Sequence, residues 1–339
     1  MWMFIVCLSW TSVADGGQSD NNSLHTLILA GIQHTLNQSY PEADSLFRLT
    51  AREFPEHPAG YLYQAAVMQS RAMDYELQIE ESRFDSLLEL GVEKAEYMIK
   101  RDPSSPWGHF FLGMAYGYDS YARVYRGNWF GGALKGFSAV SEFKKAIALD
   151  STLYDAYAGI GTFYYWRSRR TEYFNWLPFL GDDREKGYNY VDQTIRFGVY
   201  NRYTAITALT GICLDAERYE QAEQVARMGL ERYPRNRIFL FALATALDRG
   251  KRYRQAAEAY ERLLESIVDD GNNHYNEIVC RLNLVKMKMA LSDTSGVRDH
   301  LELILSYEQM RLPEHLQARA KDKFLQARAI ARTLAVRRN

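Results

Sequence analysis

The chain has 339 residues, 47% hydrophobic, 24% charged and 14% aromatic, a composition far from disorder and ample for a buried core. Its net charge of −1 provides no basic surplus of the kind that nucleic acid binding needs. With 8 prolines and 22 glycines, long helices are seldom interrupted.

The first predicted element is a signal peptide over residues 1–14. Trp2 to Trp10 is an apolar run, and Ser12-Val13-Ala14 puts small residues at −3 and −1 of a cleavage site. The run lacks a basic n-region, since the first Lys or Arg is Arg48, and a buried helix is the competing interpretation. Bulky Val6 stands before Cys7 where a bacterial lipobox prefers a small residue, which argues against a lipid on Cys7. The expectation is an exported protein, periplasmic or associated with the cell envelope, whose mature chain starts near Asp15 with a short linker at 15–23. No later stretch approaches the ~18 apolar residues of a spanning helix.

From residue 24 the chain is repetitive. Helix-ending signals recur at Phe54-Pro55, Asp102-Pro103, Asp150-Ser151, Gly198-Val199 and Tyr233-Pro234, in steps of 48, 48, 48 and 35 residues. The units predicted from them are 24–57, 58–105, 106–153, 154–202, 203–236, 237–270 and a degenerate 271–309, each a pair of helices, with a terminal helix at 313–335. Ser39 with Glu42 and Asp182 with Glu185 have the spacing of capping boxes, and Arg249-Gly250 sits where a first helix should stop.

Within the units, Leu112-Gly113 with Tyr116 and Ile160-Gly161 with Tyr164 share one pattern. Tyr61 with Ala65, and Ala30-Gly31, fit it more loosely. Ala139, Phe143 and Ala146 form a second pattern, which Ala43 with Phe47 and Ala256 with Tyr260 repeat in part. Small residues let the two helices of a hairpin approach, and the aromatic fills the space toward the next hairpin. These two patterns and the ~34-residue period resemble the tetratricopeptide repeat superfamily. The resemblance covers nearly the whole mature chain and implies an all-α, right-handed solenoid of about seven hairpins with a C-terminal capping helix.

Units two, three and four each carry ~14 residues beyond that period, at about 71–84, 119–132 and 167–181. Equal surpluses at matching places predict stacked, lengthened hairpins. In the third, Leu177-Pro178-Phe179-Leu180-Gly181-Asp182-Asp183-Arg184 followed by Gly187 resembles a segment of the eukaryotic inclusion-body-clearance family of tetratricopeptide proteins. That family is helical and non-enzymatic, with roles in handling lipid-droplet and aggregate material. A signal peptide does not suit those compartments, so the resemblance implies architecture only.

The enzyme motifs sought, among them a P-loop, Gly-x-Gly-x-x-Gly, Cys-x-x-Cys and His-Glu-x-x-His, do not occur, and neither an enzyme nor a cofactor is expected. The seven histidines are scattered, and Asp182-Asp183-Arg184-Glu185 is explained by a helix start. Cys213 and Cys280 fall on first helices two repeats apart, too far to pair, and are expected as small core residues.

The aromatic residues are the informative ones. Positions that line the concave groove in the superfamily are Trp107, Phe110, Met114, Gly117 and Tyr118 in unit three, and Thr162, Tyr165 and Trp166 in unit four, with Trp176 on the third insert. Thr207 and Asp215, then Phe241, Thr245, Asp248 and Arg249, continue the groove in units five and six. Two functions fit such a groove. One is a scaffold for a protein or peptide partner, and the alternative is a carrier of a small apolar ligand in an aromatic pocket of units three and four. Burial of the aromatics under the inserts is the structural alternative to both. The last 29 residues hold eight Lys or Arg against Glu314 and Asp322, with Leu316, Ala320, Phe324, Ala327 and Leu334 as an apolar stripe. They form the cap, or a peripheral contact to an acidic envelope surface.

Overall fold

The computed structural model describes residues 15–172, 181–271, 273–310 and 312–336. Among these the chain forms fifteen α-helices and no strand. They pair along the chain as α1 (Asp15–Leu36) with α2 (Tyr40–Glu53), α3 (Ala59–Tyr75) with α4 (Glu81–Arg101), and α5 (Pro106–Tyr125) with α6 (Trp129–Leu149). Then come α7 (Asp155–Arg170) with α8 (Arg184–Phe197), α9 (Arg202–Asp215) with α10 (Tyr219–Arg232), and α11 (Arg237–Arg249) with α12 (Tyr253–Val268). Last are α13 (His274–Ala290) with α14 (Val297–Ser306), and α15 (Glu314–Val336) alone. Each helix packs on its neighbours in the chain, so the architecture is an all-α solenoid of helical hairpins.

The repeat patterns do the packing expected of them. Ala43, Phe47, Ala139, Phe143, Ala146, Ala256 and Tyr260 are all buried. A Cβ built on Gly113 would lie 2.7 Å from the Phe143 ring. In unit four the approach is backbone to backbone: a Cβ on Gly161 would lie 2.5 Å from the Gly187 carbonyl oxygen, and one on Gly187 would lie 2.6 Å from that of Gly161. Only a hairpin with glycine on both helices closes that far.

Most hairpin turns use one device. The residue after the first helix, or the next but one, is left-handed: Gln38, Glu76, Gly127, Glu217, Lys251 and Ser292 have φ of 54° to 82°. The following N–H then donates back five residues, as from Ser39 to His34 O, Asn128 to Arg123 O, Arg218 to Cys213 O and Arg252 to Leu247 O. This is the Schellman closure, which satisfies carbonyls that the helix end leaves open. Five of the six residues are not glycine.

Three local expectations are corrected. Residues 15–23, expected as a linker, belong to α1; they contain no proline, and extending an existing helix is far easier than nucleating one. Ser39 is the N-cap of α2 but its side chain makes no capping bond, since Pro41 removes one of the two N–H groups a cap can reach. The N-cap of α8 is Asp183, not Asp182, whose Oδ1 instead accepts from the Arg184 N–H at 3.0 Å.

The inserts differ in form. In units two and three the helices are 17, 21, 20 and 21 residues long, against 14 and 14 in unit five. In unit four α7 has 16 and α8 has 14 residues, so its surplus lies in the connection, of which 173–180 falls outside the described residues.

The lengthened unit two has a consequence for the whole chain. The end of α3 reaches the last third of the array and is held there. Arg237 Nε donates to Asp74 Oδ1 at 2.7 Å, and a second guanidinium nitrogen pairs with Oδ2. Tyr40 OH donates to the same carboxylate at 3.0 Å. The Asp74 carbonyl accepts from Asn273 Nδ2 at 2.9 Å and Asn276 Nδ2 at 2.7 Å. Glu76 pairs with Arg319 at 2.8 Å, and Asn236 Nδ2 donates to Leu36 O at 2.7 Å. The array therefore curls until units one and two touch units six, seven and the cap. The cap itself buries Leu316, Ala320, Phe324 and Ala327 against α13 and α14.

Candidate functional site

Curling fills part of the face assigned to a groove. Buried Asp155, at the start of α7, accepts from the N–H groups of Val199, Tyr200 and Asn201 at 3.0, 2.8 and 2.6 Å. That clamp points Tyr200 at α1, α3 and α5, where its hydroxyl meets His25 Nδ1 at 2.6 Å and its ring lies 5.8 Å from that of Trp107. Trp107 also packs on Phe110 and Phe111, and Phe110 is fully buried. Trp107 and Phe110 are thus packing residues, and the groove does not begin with them.

An open cavity does exist one turn further along. It has a volume of about 720 Å³ and lies between α5, α6 and α7. Met114, Tyr118, Thr162 and Trp166 line it, with Gly117 between the first two. A Cβ on Gly117 would meet nothing within 4 Å, so this glycine leaves the cavity open rather than closing a helix contact. Burial pushes the Tyr118 hydroxyl well above the usual phenol range, which keeps it neutral. The opposite wall comes from Trp129, Phe137 and Phe163, with the last two rings 4.9 Å apart edge to face. Trp129 and Phe137 are 56% and 52% exposed, and Phe130 and Leu134 beside them are 77% and 53% exposed. Phe130, Leu134 and Phe137 follow one face of α6 at helical spacing. Cavity and stripe make one continuous apolar surface.

The cavity has a sign. Among the described residues its only charged lining residues are Arg167 and Arg170, one above the other on α7. Arg167 donates to Asp183 through one terminal nitrogen, while its Nε is buried without a hydrogen-bond partner among the described residues. The Arg170 guanidinium lies over the Trp129 ring, 4.6 Å from the centroid, and no carboxylate pairs with it among the described residues.

The other expected groove residues lie elsewhere. Tyr165 and Asp215 meet in a polar cleft, where Asp215 accepts from Tyr165 OH at 2.7 Å and Arg169 Nε at 2.9 Å. Phe241, 45% exposed, lines a cavity of about 670 Å³ at the seam between α3, α11, α13 and α15. Thr207 donates to the Tyr203 carbonyl at 3.3 Å, within its own helix. Thr245 sits against Tyr260. Burial raises the Asp248 carboxyl pKa, with Lys286 and Arg249 opposing. Arg249 is an exposed helix end. These residues do not form one groove, because closure of the array bends the face that was to carry them. Trp176 lies outside the described residues. So do Leu177 to Leu180 of the segment resembling the inclusion-body-clearance family.

Trp129, Phe137, Phe163, Arg167 and Arg170 were not among the expected site residues. Four signals were available: the exposed Trp129-Phe130 pair, the Phe130/Leu134/Phe137 spacing, Gly132 and Gly136 thinning α6, and two arginines three apart after Trp166.

No group of three or more His, Cys, Asp and Glu side chains among the described residues could hold a metal ion. Cys213 and Cys280 are free and buried, and burial pushes their thiols up to about 11 and about 12, which disfavours the reactive thiolate. No helix among the described residues is long and apolar enough to cross a membrane.

No family model matches the sequence, and no curated protein matches it. Among solved structures, a tetratricopeptide repeat protein of Thermus thermophilus is 19% identical, covering 67% of this chain and 98% of that one, with a TM-score of 0.42. The C-terminal part of a repeat protein of the same kind from Cytophaga hutchinsonii is 17% identical over 87% of this chain and 98% of that one, at 0.47. PilF of Pseudomonas aeruginosa is 15% identical over 80% and 96%, also at 0.47. No function passes from them to this chain. In its hairpins and its small-to-aromatic contacts the chain resembles the tetratricopeptide repeat pattern seen in its sequence.

Proposed function

We propose that the protein is a non-enzymatic binding scaffold that takes an apolar segment of a partner protein into the cavity of units three and four. The observation that carries this is the continuity of the cavity with the exposed stripe Trp129, Phe130, Leu134 and Phe137. A small ligand needs an enclosed wall; large apolar side chains left outside the wall suit a second macromolecule, which covers both at once. Because the array curls on itself, the partner is held at this one place rather than along an extended concave groove.

A random-octapeptide display library panned on immobilised protein tests the proposal. Peptides with aromatic or aliphatic anchors should be enriched on the wild type and lost on Gly117→Phe, which fills the cavity from an unobstructed position. Trp166→Ala should weaken the same peptides. Enrichment that survives Gly117→Phe would place binding elsewhere. The alternative reading, a carrier of a small apolar ligand, is favoured by the cavity volume, which is in the range of ~300–1,000 Å³ typical of such sites. It predicts a ligand retained by wild type and released by Gly117→Phe in native mass spectrometry.

The same proposal places the mature protein outside the cytoplasm, on the strength of the apolar run and small residues before Asp15, with N-terminal sequencing of native material as the check. Envelope contact through the basic tail has less support, since Arg319, Lys323 and Arg328 pair with Glu76, Asp322 and Glu308.

A further inference from the structure

The polar groups at the cavity set a condition on what enters it. We infer that the bound segment is acidic: it places a carboxylate beside its apolar anchor, against Arg170 at the mouth and the buried edge of Arg167. This rests on the cavity being the binding site. The first ground is the lining, with two arginines, no acidic residue and otherwise neutral side chains.

The second ground is that nearby carboxylates are engaged elsewhere. Glu172 holds Arg169 and Arg184, Asp183 holds Arg167 from outside the cavity, and Asp119 holds Arg123 and Lys135. Residues 173–180 contain no acidic residue. Arg170 therefore stands exposed beside an apolar cavity, over the Trp129 ring and without an ion pair among the described residues. A guanidinium stacked on an aromatic ring keeps its edge N–H groups free to donate, and a planar edge matches a carboxylate. The third ground is Arg167 Nε, a buried donor without a partner among the described residues; a small shift of its side chain toward the cavity would let an occupant's acceptor satisfy it. An uncharged apolar segment would leave both groups as they are, and a basic one would be repelled by both.

The test extends the library selection with Arg170→Glu, a change at an exposed position. Octapeptides enriched on the wild type should carry Asp or Glu next to the anchor, and the preference should turn neutral or basic on Arg170→Glu. For an enriched peptide resynthesised with its acid as glutamate or as glutamine, the glutamate form should bind about ten-fold tighter to wild type, with the advantage shrinking as salt rises. On Arg170→Gln the two forms should bind within about two-fold of each other. Peptides lost on Gly117→Phe but showing no acidic preference, or the same preference on Arg170→Glu, would overturn this inference and leave the binding site standing. No enrichment relative to Gly117→Phe, together with no dodecanoate binding that Gly117→Phe abolishes, would overturn the site itself. If no peptide is enriched but dodecanoate binds and Gly117→Phe releases it, the occupant is a fatty-acid chain and the protein-segment assignment falls.

Discussion

A glycine inside a helix costs that helix stability, so its neighbours decide whether it is worth keeping. Gly161 and Gly117 answer this in opposite ways. At Gly161 a methyl group would run into the backbone of α8, which cannot rotate away. Gly161→Ala should therefore lower stability by ~1–3 kcal/mol, and Gly161→Leu by more. At Gly117 a methyl group meets empty cavity, so Gly117→Ala should raise stability by ~0.5–1 kcal/mol. Urea melts of the two variants should move in opposite directions; movement the same way would show that the cavity or the α7–α8 crossing is misplaced. His57 makes a residue-level prediction in pH. Burial lowers its pKa to about 4 from the ordinary 6.5; its Nδ1 accepts from the Ala59 N–H at 3.2 Å and its ring packs on Phe111. The unfolded chain binds the proton first as pH falls, so the contribution is complete above about 6.5 and is lost between 6.5 and about 4. Wild type should lose more stability over that window than His57→Gln does, by up to ~3 kcal/mol. Equal losses would mean that the ring is hydrated.

At the scale of elements, the helices were legible and their turns were not. The recurring helix-ending signals and the small-to-aromatic patterns put most pairs within their units, although α1 starts at Asp15, nine residues before the unit drawn from 24. The turn residues escaped notice because the left-handed position, which usually announces itself as glycine, is held by Gln38, Glu76, Glu217, Lys251 or Ser292. The energy lost there is recovered from the carbonyl bonds the turn completes. Lys251 is exposed and forms no ion pair among the described residues, so Lys251→Gly isolates the conformational term. It should raise the thermal midpoint, with a gain of up to ~1 kcal/mol, less what the more flexible unfolded chain takes back. A fall would mean the side chain does more than tolerate the geometry. The site divides in the same way. Met114, Tyr118, Thr162 and Trp166 came from first-helix positions that face a groove in any such array. Trp129, Phe137 and Arg170 come from a second helix and a helix end, which line a cavity only because α6 is lengthened here.

Closure of the whole array left no trace in the repeat pattern, because it joins residues 163 apart in the sequence. Asp74 and Arg237 look like ordinary surface charges at helix ends until α3 is long enough to bring one to the other. In the folded chain Asp74 is 3% and Arg237 8% exposed, and the Arg237 guanidinium also lies 5.1 Å from the Tyr75 ring centroid. A buried pair of this kind adds little net stability over an apolar pair, but losing Arg237 leaves the Asp74 carboxylate with only Tyr40 OH beside it, whereas losing Asp74 still leaves Arg237 paired with Asp270 at 2.9 Å. Arg237→Met should therefore cost ~3–5 kcal/mol and Asp74→Ala less, because Asp270 still answers Arg237, and the double variant should cost clearly less than their sum. The bonds from Asn273 and Asn276 to the Asp74 carbonyl survive both changes, so the seam need not open when the pair is removed. Opening calls for a broader change: Asn236→Ala, Asn273→Ala, Asn276→Ala and Arg319→Ala in the Asp74→Ala background should raise the radius of gyration in small-angle scattering while helix content stays constant. Binding at units three and four should survive this opening, since no residue of the seam lines that cavity. If the opened variant lost binding while Gly117→Ala kept it, closure would be part of the site rather than the frame that holds it.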